Sequence, residues 1–203
     1  MSVLLDRLYH FHWVTPEAAR SAQPYLGFYP AYLRAHGIRA IINLRGYNPK
    51  HRWWHREKAV AKADGLEHFD IKMASRKISQ RALLVDLIDA FERAPRPFLM
   101  KCSGGQDRTS FASALFLLHE GGAAALPRAL GQFAFWPYLH RPKPQQLWLR
   151  EFPKFAVEDA KGAPLADWIR NSYDAERFTA WLNARGLGAS YREIQREGAG
   201  KKS

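Results

Sequence analysis

Between residues 30 and 120 the apolar positions change period several times, and each change marks an element. PAYLRAH at 30–36 reads as a short helix closed by Gly37. IRAIINL at 38–44 is an unbroken β-branched run, the pattern of a strand buried on both faces. RWWHREKAVAKAD at 52–64 predicts a helix with Gly65 as its C-terminal cap, and LEHFDIK at 66–72 alternates like a strand. The next helix is predicted over SQRALLVDLIDAFERA at 79–94. Ser79 serves there as N-cap, and Leu83, Leu84, Leu87, Ile88 and Phe91 fall on one face. Pro95 and Pro97 stop it, and PFLM at 97–100 supplies another strand. SFASALFLLHE at 110–120 is helical and ends at Gly121-Gly122. Beyond it the reading is mostly helical, punctuated by Pro127, Pro137, Pro142, Pro144, Pro153 and Pro164. Strands alternating with helices predict an α/β fold: a central parallel or mixed sheet flanked by helices, with a helical C-terminal part.

Composition narrows this picture. A chain of 203 residues, 47% hydrophobic, suits one domain, placed at 1–190, with 191–203 (ending REGAGKKS) as a flexible basic tail. One cysteine excludes an internal disulfide framework and fits a reducing compartment or a free reactive thiol. MSVLLDRLYHFHW at the start is too short and polar in its apolar stretch for a signal peptide. No run approaches the roughly 20 apolar residues that spanning a bilayer requires, so a cytoplasmic protein is expected. The formal net charge of +12 favours an anionic partner such as nucleic acid, an anionic lipid surface or a phosphorylated substrate; a basic surface without a cognate anion is the plainer alternative.

The lone thiol stands in KCSGGQDRTS, 101–110, between a strand and a helix. Such a loop lies at the carboxyl end of a strand, where ligands bind in open α/β sheets. Gly104 and Gly105 permit backbone conformations closed to other residues, so that successive amides of 103–108 can converge on an anion. The N-terminus of the following helix adds donors and a positive dipole end. Cys102 at the mouth of this nest would be held as thiolate, its reactive form. Arg108 offers a planar fork for two phosphoryl oxygens, and Thr109 a hydroxyl to the sulfur. Together they suggest attack of Cys102 on phosphorus, a cysteinyl-phosphate intermediate and its hydrolysis, with Ser103, Gly104, Gly105 and Gln106 lining the anion site.

The Cys-x5-Arg-Thr pattern at Cys102–Thr109 resembles the signature loop of the protein tyrosine and dual-specificity phosphatase superfamily. RSAQP at 20–24 and GIRAIINLR at 37–45 precede it in the order of small bacterial dual-specificity-like members. DWIRNSYD at 167–174 is similar to the tail of some of them. The resemblance covers roughly residues 20–120. It implies a phosphoric monoester hydrolase that needs no metal or organic cofactor, acting on phosphotyrosine protein, a phosphoinositide or other phospholipid, inositol phosphate or an RNA 5′ end. Two positions depart from the pattern. Lys101 stands where His usually precedes the nucleophile, and Ser110 where Gly usually follows Thr. A lysine there would favour the thiolate by charge, without an imidazole's hydrogen bonds.

Expulsion of the leaving group needs a proton donor. In the superfamily this is often an Asp about thirty residues before the Cys. Asp70 has that separation but reads as an exposed strand residue, and MASRK at 73–77 has no carboxylate. Asp107 is the favoured acid. The GQDRT ending is similar to that of myotubularin-like and bacterial lipid-and-tyrosine phosphatases, which implies an acid from inside the loop. A bound dianion would help Asp107 keep its proton. Its alternative role is N-cap of the following helix.

Several other groups have plainer readings. Arg45 is a substrate contact or a surface arginine. His51 and His55 stand at i, i+4 like metal ligands but have no third partner in view, so no metal is expected. His10 and His12 alternate in a segment too short to judge. Trp53 and Trp54 with Arg52 and Arg56, and Trp136, Tyr138, His140, Arg141 and Lys143, are basic aromatic clusters: core anchors beside solvated cations, base-stacking platforms or a lipid-interface surface. The second cluster follows the helix behind the loop and is placed to form a pocket wall. Three rival functions stay open: a phosphatase-like module that binds phosphorylated or polyanionic partners without turnover, a nucleic-acid-binding protein, and a sulfurtransferase.

Overall fold

A computed structural model describes residues 2–24, 29–188 and 194–195. Its centre is a five-stranded mixed sheet built from β1 (His12–Thr15), β2 (Ala18–Ser21), β3 (Ala40–Asn43), β4 (Glu67–Asp70) and β6 (Phe98–Lys101), in the order β1-β2-β6-β3-β4. β1 and β2 form an antiparallel hairpin at one edge; β2, β6, β3 and β4 run parallel. A short β5 (Ile78–Ser79) pairs with β7 (Ile194–Gln195). The helices are α1 (Ser2–Tyr9), α2 (Tyr29–Ala35), α3 (Arg52–Ala63), α4 (Arg81–Arg93), α5 (Asp107–Gly121), α6 (Leu126–Gly131), α7 (Trp148–Ala160), α8 (Leu165–Asn171) and α9 (Ala175–Ala184).

β2, β3 and β6 are buried at every position because helices cover both faces of the sheet. Alternation assigns each side chain to a face. Ala18, Ala40, Ile42, Phe98, Met100 and Cys102 join the larger core, with α4, α5 and the C-terminal helices. Ala19, Ile41 and Leu99 meet Tyr9 of α1, Tyr32 and Leu33 of α2 and Val60 of α3. β6 lies in the middle, so the residue after it emerges at the carboxyl ends of the parallel strands with structure on every side.

The expected elements are present with shifted ends. The helix expected at 79–94 begins at Arg81, with Gln80 at its N-cap; Ser79 belongs to β5, and its carbonyl accepts the Tyr173 hydroxyl at 2.7 Å. Asp107 is the first residue of α5 behind an N-cap at Gln106, so its side chain is not a cap. Pro153 does not interrupt the chain but sits inside α7, where it removes the amide that would bond Leu149. In the segment DWIRNSYD, Asp174 caps α9 through the Arg177 amide at 2.7 Å, and Arg170 pairs with Asp89 and Glu92 of α4. The tail expected at 191–203 lies outside the described residues, apart from the backbone of β7. No helix among the described residues is long and apolar enough to cross a membrane.

Candidate active site

The loop from Cys102 to Gln106 is shaped by what holds its carbonyls. The Ser103 carbonyl accepts the Gln23 amide at 3.0 Å, the Gly104 carbonyl faces His10 Nδ1 at 3.2 Å, and the Gly105 carbonyl accepts Arg20 Nη2 at 2.9 Å. Three successive carbonyls are thus held outward. Because each peptide is planar, the amides of Gly104, Gly105 and Gln106 turn to the opposite, inner side. Gly105 has φ +66°, and a Cβ there would stand 2.6 Å from the Ala22 nitrogen. Glycine is required at that position. Gly104 has no such need, since the nearest atom to a Cβ would be Gln106 at 4.0 Å; the expectation that both glycines serve the backbone holds for Gly105 alone.

Arg20 is the main brace. It is fully buried and bonds Gly105 O and Ser110 Oγ through Nη2, at 2.9 and 2.8 Å. Through Nη1 it reaches the carbonyl and side-chain oxygens of Gln132, at 3.1 and 2.9 Å, and its guanidinium lies 4.0 Å from the centre of the Tyr138 ring. Burial pushes its pKa down to about 10. Ser110, where the resembled loop pattern has glycine, therefore anchors this brace.

Cys102 is buried, and burial pushes its thiol up. The Arg108 charge, the Thr109 hydroxyl and the amides of Gly105 and Thr109 outweigh that effect and leave the thiol below its ordinary value. Arg108 is oriented by Ser103 Oγ, 3.1 Å from Nη2, and by the Leu44 carbonyl, 3.4 Å from Nη1.

Lys101 does not assist the sulfur. Strand alternation sends it through the opposite face, where it is fully buried. Nζ lies 2.7 Å from Glu57 Oε1 and 2.7 Å from Gln23 Oε1, with the Trp53 ring centre at 4.9 Å. Burial pushes the Lys101 pKa down to about 8, against the pull of Glu57. Burial also works to raise the Glu57 carboxyl, but His68 at 2.8 Å and Lys101 hold it below its ordinary value. Gln23 completes the cluster by donating to Glu57 Oε2 at 2.9 Å.

Of the two acid candidates, only Asp107 adjoins the loop. Its Oδ2 accepts Gln146 Nε2 at 2.7 Å, and Oδ1 lies 3.4 Å from Nε2 of buried His140. Gln146 also donates to Ser75 Oγ at 2.9 Å, so the MASRK segment reaches the same place without a carboxylate. Asp70 is a structural pin rather than an exposed strand residue: it accepts Asn43 Nδ2 at 2.7 Å and Trp54 Nε1 at 3.1 Å.

Solved structures with this architecture are similar over most of their length. They include PTPMT1 (15% identity, TM-score 0.53, 74% of this chain and 98% of that one) and the core catalytic domain of the PP-IP phosphatase SIW14 from S. cerevisiae (14%, 0.53, 90% and 96%). Tk-PTP, solved in a mutant form, is a third (14%, 0.56, 74% and 96%). The fold is that of the cysteine-based phosphatases. PTPMT1 has also been solved in complex with PI(5)P. No family model and no curated protein sequence matches the chain.

Arg45 is half-buried, stacked 3.5 Å over Trp53 and bonded to Gln23 Oε1 at 3.2 Å. His51 stacks on Trp53, and His55 Nε2 faces the Pro49 carbonyl at 2.6 Å. Among the described residues no group of three or more His, Cys, Asp or Glu is placed to hold a metal. His10 joins the Gly104 and Pro137 carbonyls, and His12, pushed down to about 4 chiefly by burial, packs on Tyr138. Trp54 is bonded inward, whereas Trp136 is exposed. Sequence reasoning gave no role to Arg20, Gln23, Glu57, Gln132 or Gln146. Only RSAQP signalled any of them, through resemblance rather than chemistry.

Proposed function

We propose that the chain is a cysteine-dependent phosphoric monoester hydrolase. The observation that carries this reading is a buried thiol held below its ordinary pKa by Arg108, Thr109 and two amides, at the mouth of a loop whose carbonyls are held outward. Cys102 thiolate attacks phosphorus, and the bond from phosphorus to the ester oxygen breaks. Asp107 gives its proton to the departing oxygen. Water then attacks the cysteinyl-phosphate, its proton passes to the Asp107 carboxylate, and breakage of the P–S bond releases inorganic phosphate and the thiolate. Arg108 and the inner amides follow the charge on the equatorial oxygens. Gln146 positions Asp107 by a hydrogen bond, with His140 Nε2 beside it at 3.4 Å.

The favoured substrate is a multiply charged ester of the phosphoinositide or inositol-phosphate type, with phosphotyrosine protein as the alternative within the same chemistry. A cavity of about 990 Å³ opens beside Gln23, walled by Pro24, Tyr29, Pro30, Trp53, Val60 and Glu57, and the cations at its rim, Lys50, Arg52 and Arg56, suit further anionic groups of a substrate that reaches it. PI(5)P bound to PTPMT1 and the inositol-pyrophosphate activity in SIW14's name support the same direction.

Hydrolysis of p-nitrophenyl phosphate tests the reading. Activity abolished by Cys102→Ser and lowered at least about a hundredfold by Arg108→Met is expected; wild-type turnover that survives Cys102→Ser would overturn it. The absence of a carboxylate from 73–77 favours the second reading, a module that binds phosphorylated partners without turnover. Phosphate binding without hydrolysis would decide for it.

A further inference from the structure

The segment that follows α6 has two faces. Inward, the Pro137 carbonyl meets His10 at 3.3 Å, Tyr138 lies under Arg20 at 4.0 Å, and His140 faces Asp107 at 3.4 Å. Outward, Trp136 is 78% exposed, Phe135 56% and Leu139 40%, while Leu147 is exposed further along the chain. Solvent-facing rings of this size on one short segment are costly in water and call for an occupant.

Charge indicates which occupant. From Gly121 to Arg150 there is no Asp or Glu, whereas Arg128, Arg141, Lys143 and Arg150 are all exposed. The Arg141 guanidinium sits 5.7 Å from the centre of the Phe135 ring. Aromatic rings flanked by long cations, without a carboxylate, match the headgroup layer of an anionic bilayer: rings enter the polar–apolar boundary and cations meet lipid phosphates and carboxylates. A mixed-charge protein partner would call for carboxylates among the rings, and residues 121–150 supply none.

We propose that Phe135, Trp136 and Leu139, with Arg141 and Lys143, form a docking surface for an anionic lipid bilayer. The same segment contacts the supports of the Cys102 loop, so docking would set the bilayer on the outer side of the wall that backs the loop. The proposal goes beyond hydrolysis and is tested separately from it.

The full chain is sedimented with vesicles of phosphatidylcholine containing phosphatidylserine, and with vesicles of phosphatidylcholine alone. Expected are binding to the anionic vesicles, little to the neutral ones, and weakening by salt. Phe135→Ser with Trp136→Ser should weaken binding roughly tenfold or more, from the apolar burial lost. It should leave p-nitrophenyl phosphate turnover unchanged, and that turnover also reports that the variant is folded. Arg141→Glu with Lys143→Glu should weaken binding through charge alone. Failure of the wild type to sediment, or undiminished binding by both variants, overturns the proposal. So does a concentration-dependent dimer that the Ser substitutions dissolve, which would make the surface a contact between copies of this chain. If sedimentation holds while Cys102 proves inert, the docking surface stands and the hydrolase reading falls.

Discussion

A sulfur at the tip of a buried strand stays ionised only if fixed donors replace the water it loses. Cys102 has such donors in Arg108, Thr109 and the amides of Gly105 and Thr109. The thiolate fraction declines as pH falls through the lowered pKa, so at neutral pH it exceeds that of an ordinary thiol near about 8.5. The rate of alkylation by iodoacetamide against pH should show its midpoint below that value, and Arg108→Met should raise the midpoint by about 1 unit or more. Asp107 makes a separate prediction. Asp107→Asn should reduce turnover of an alkyl phosphate by about a hundredfold and of p-nitrophenyl phosphate far less, since the aryl oxide leaves without a proton. Equal losses on both substrates would remove the acid role. His140→Ala and Gln146→Ala should reproduce the same leaving-group dependence in weaker form, which a purely structural defect would not do. The proposed nucleophile, its arginine and Thr109 could be picked out because one short loop spells them out. The residues that hold them could not: Gln146 lies 39 positions from Asp107, and Gln132 lies 112 from Arg20. No local pattern joins groups so distant.

The strands and helices carry their own tests. Gly105→Ala places a methyl at φ +66° against the backbone of Ser21 and Ala22, which cannot move aside cheaply. Its cost should be about 1–3 kcal/mol in denaturant unfolding, with hydrolysis lost. Gly104→Ala, with open space around it, should be close to neutral. At the junction of β6 and α3, Lys101→Met leaves Glu57 charged and buried without its ammonium partner, and a loss of about 3–5 kcal/mol is expected. Adding Glu57→Gln should return part of that loss. Reading the sequence recovered β3, β4, β6, α3, α4 and α5 because their apolar periods are clear and bounded by glycine or proline. It made no prediction for the β1–β2 hairpin. Arg20, a buried cation, interrupts the apolar pattern of β2, and β1 holds the polar His12 and Thr15 about an exposed Trp13. The end of β6 was placed one residue short for a related reason: Lys101 looks like a loop residue until its partner on α3 is known.

Across the whole molecule, charge and topology act together. The formal charge of +12 draws anions toward the protein, and Lys50, Arg52 and Arg56 border the cavity beside Gln23. Hydrolysis of a multiply phosphorylated substrate should therefore show a KM that rises steeply with salt and a kcat that changes little. A singly phosphorylated aryl ester should be less sensitive. The α/β class was legible from the alternation of periods, but not which side of the sheet each cation would occupy, because that depends on register.

Lys101 and Cys102 are neighbours in the chain, yet a pleated strand sends them to opposite worlds. The lysine answers to residue 57, the thiol to the residues of its own loop. The two positions can therefore drift on independent schedules, provided each keeps faith with its own partner. In this chain, a side chain at position 101 meets Glu57 and Gln23 on the far side of the sheet, out of reach of the sulfur.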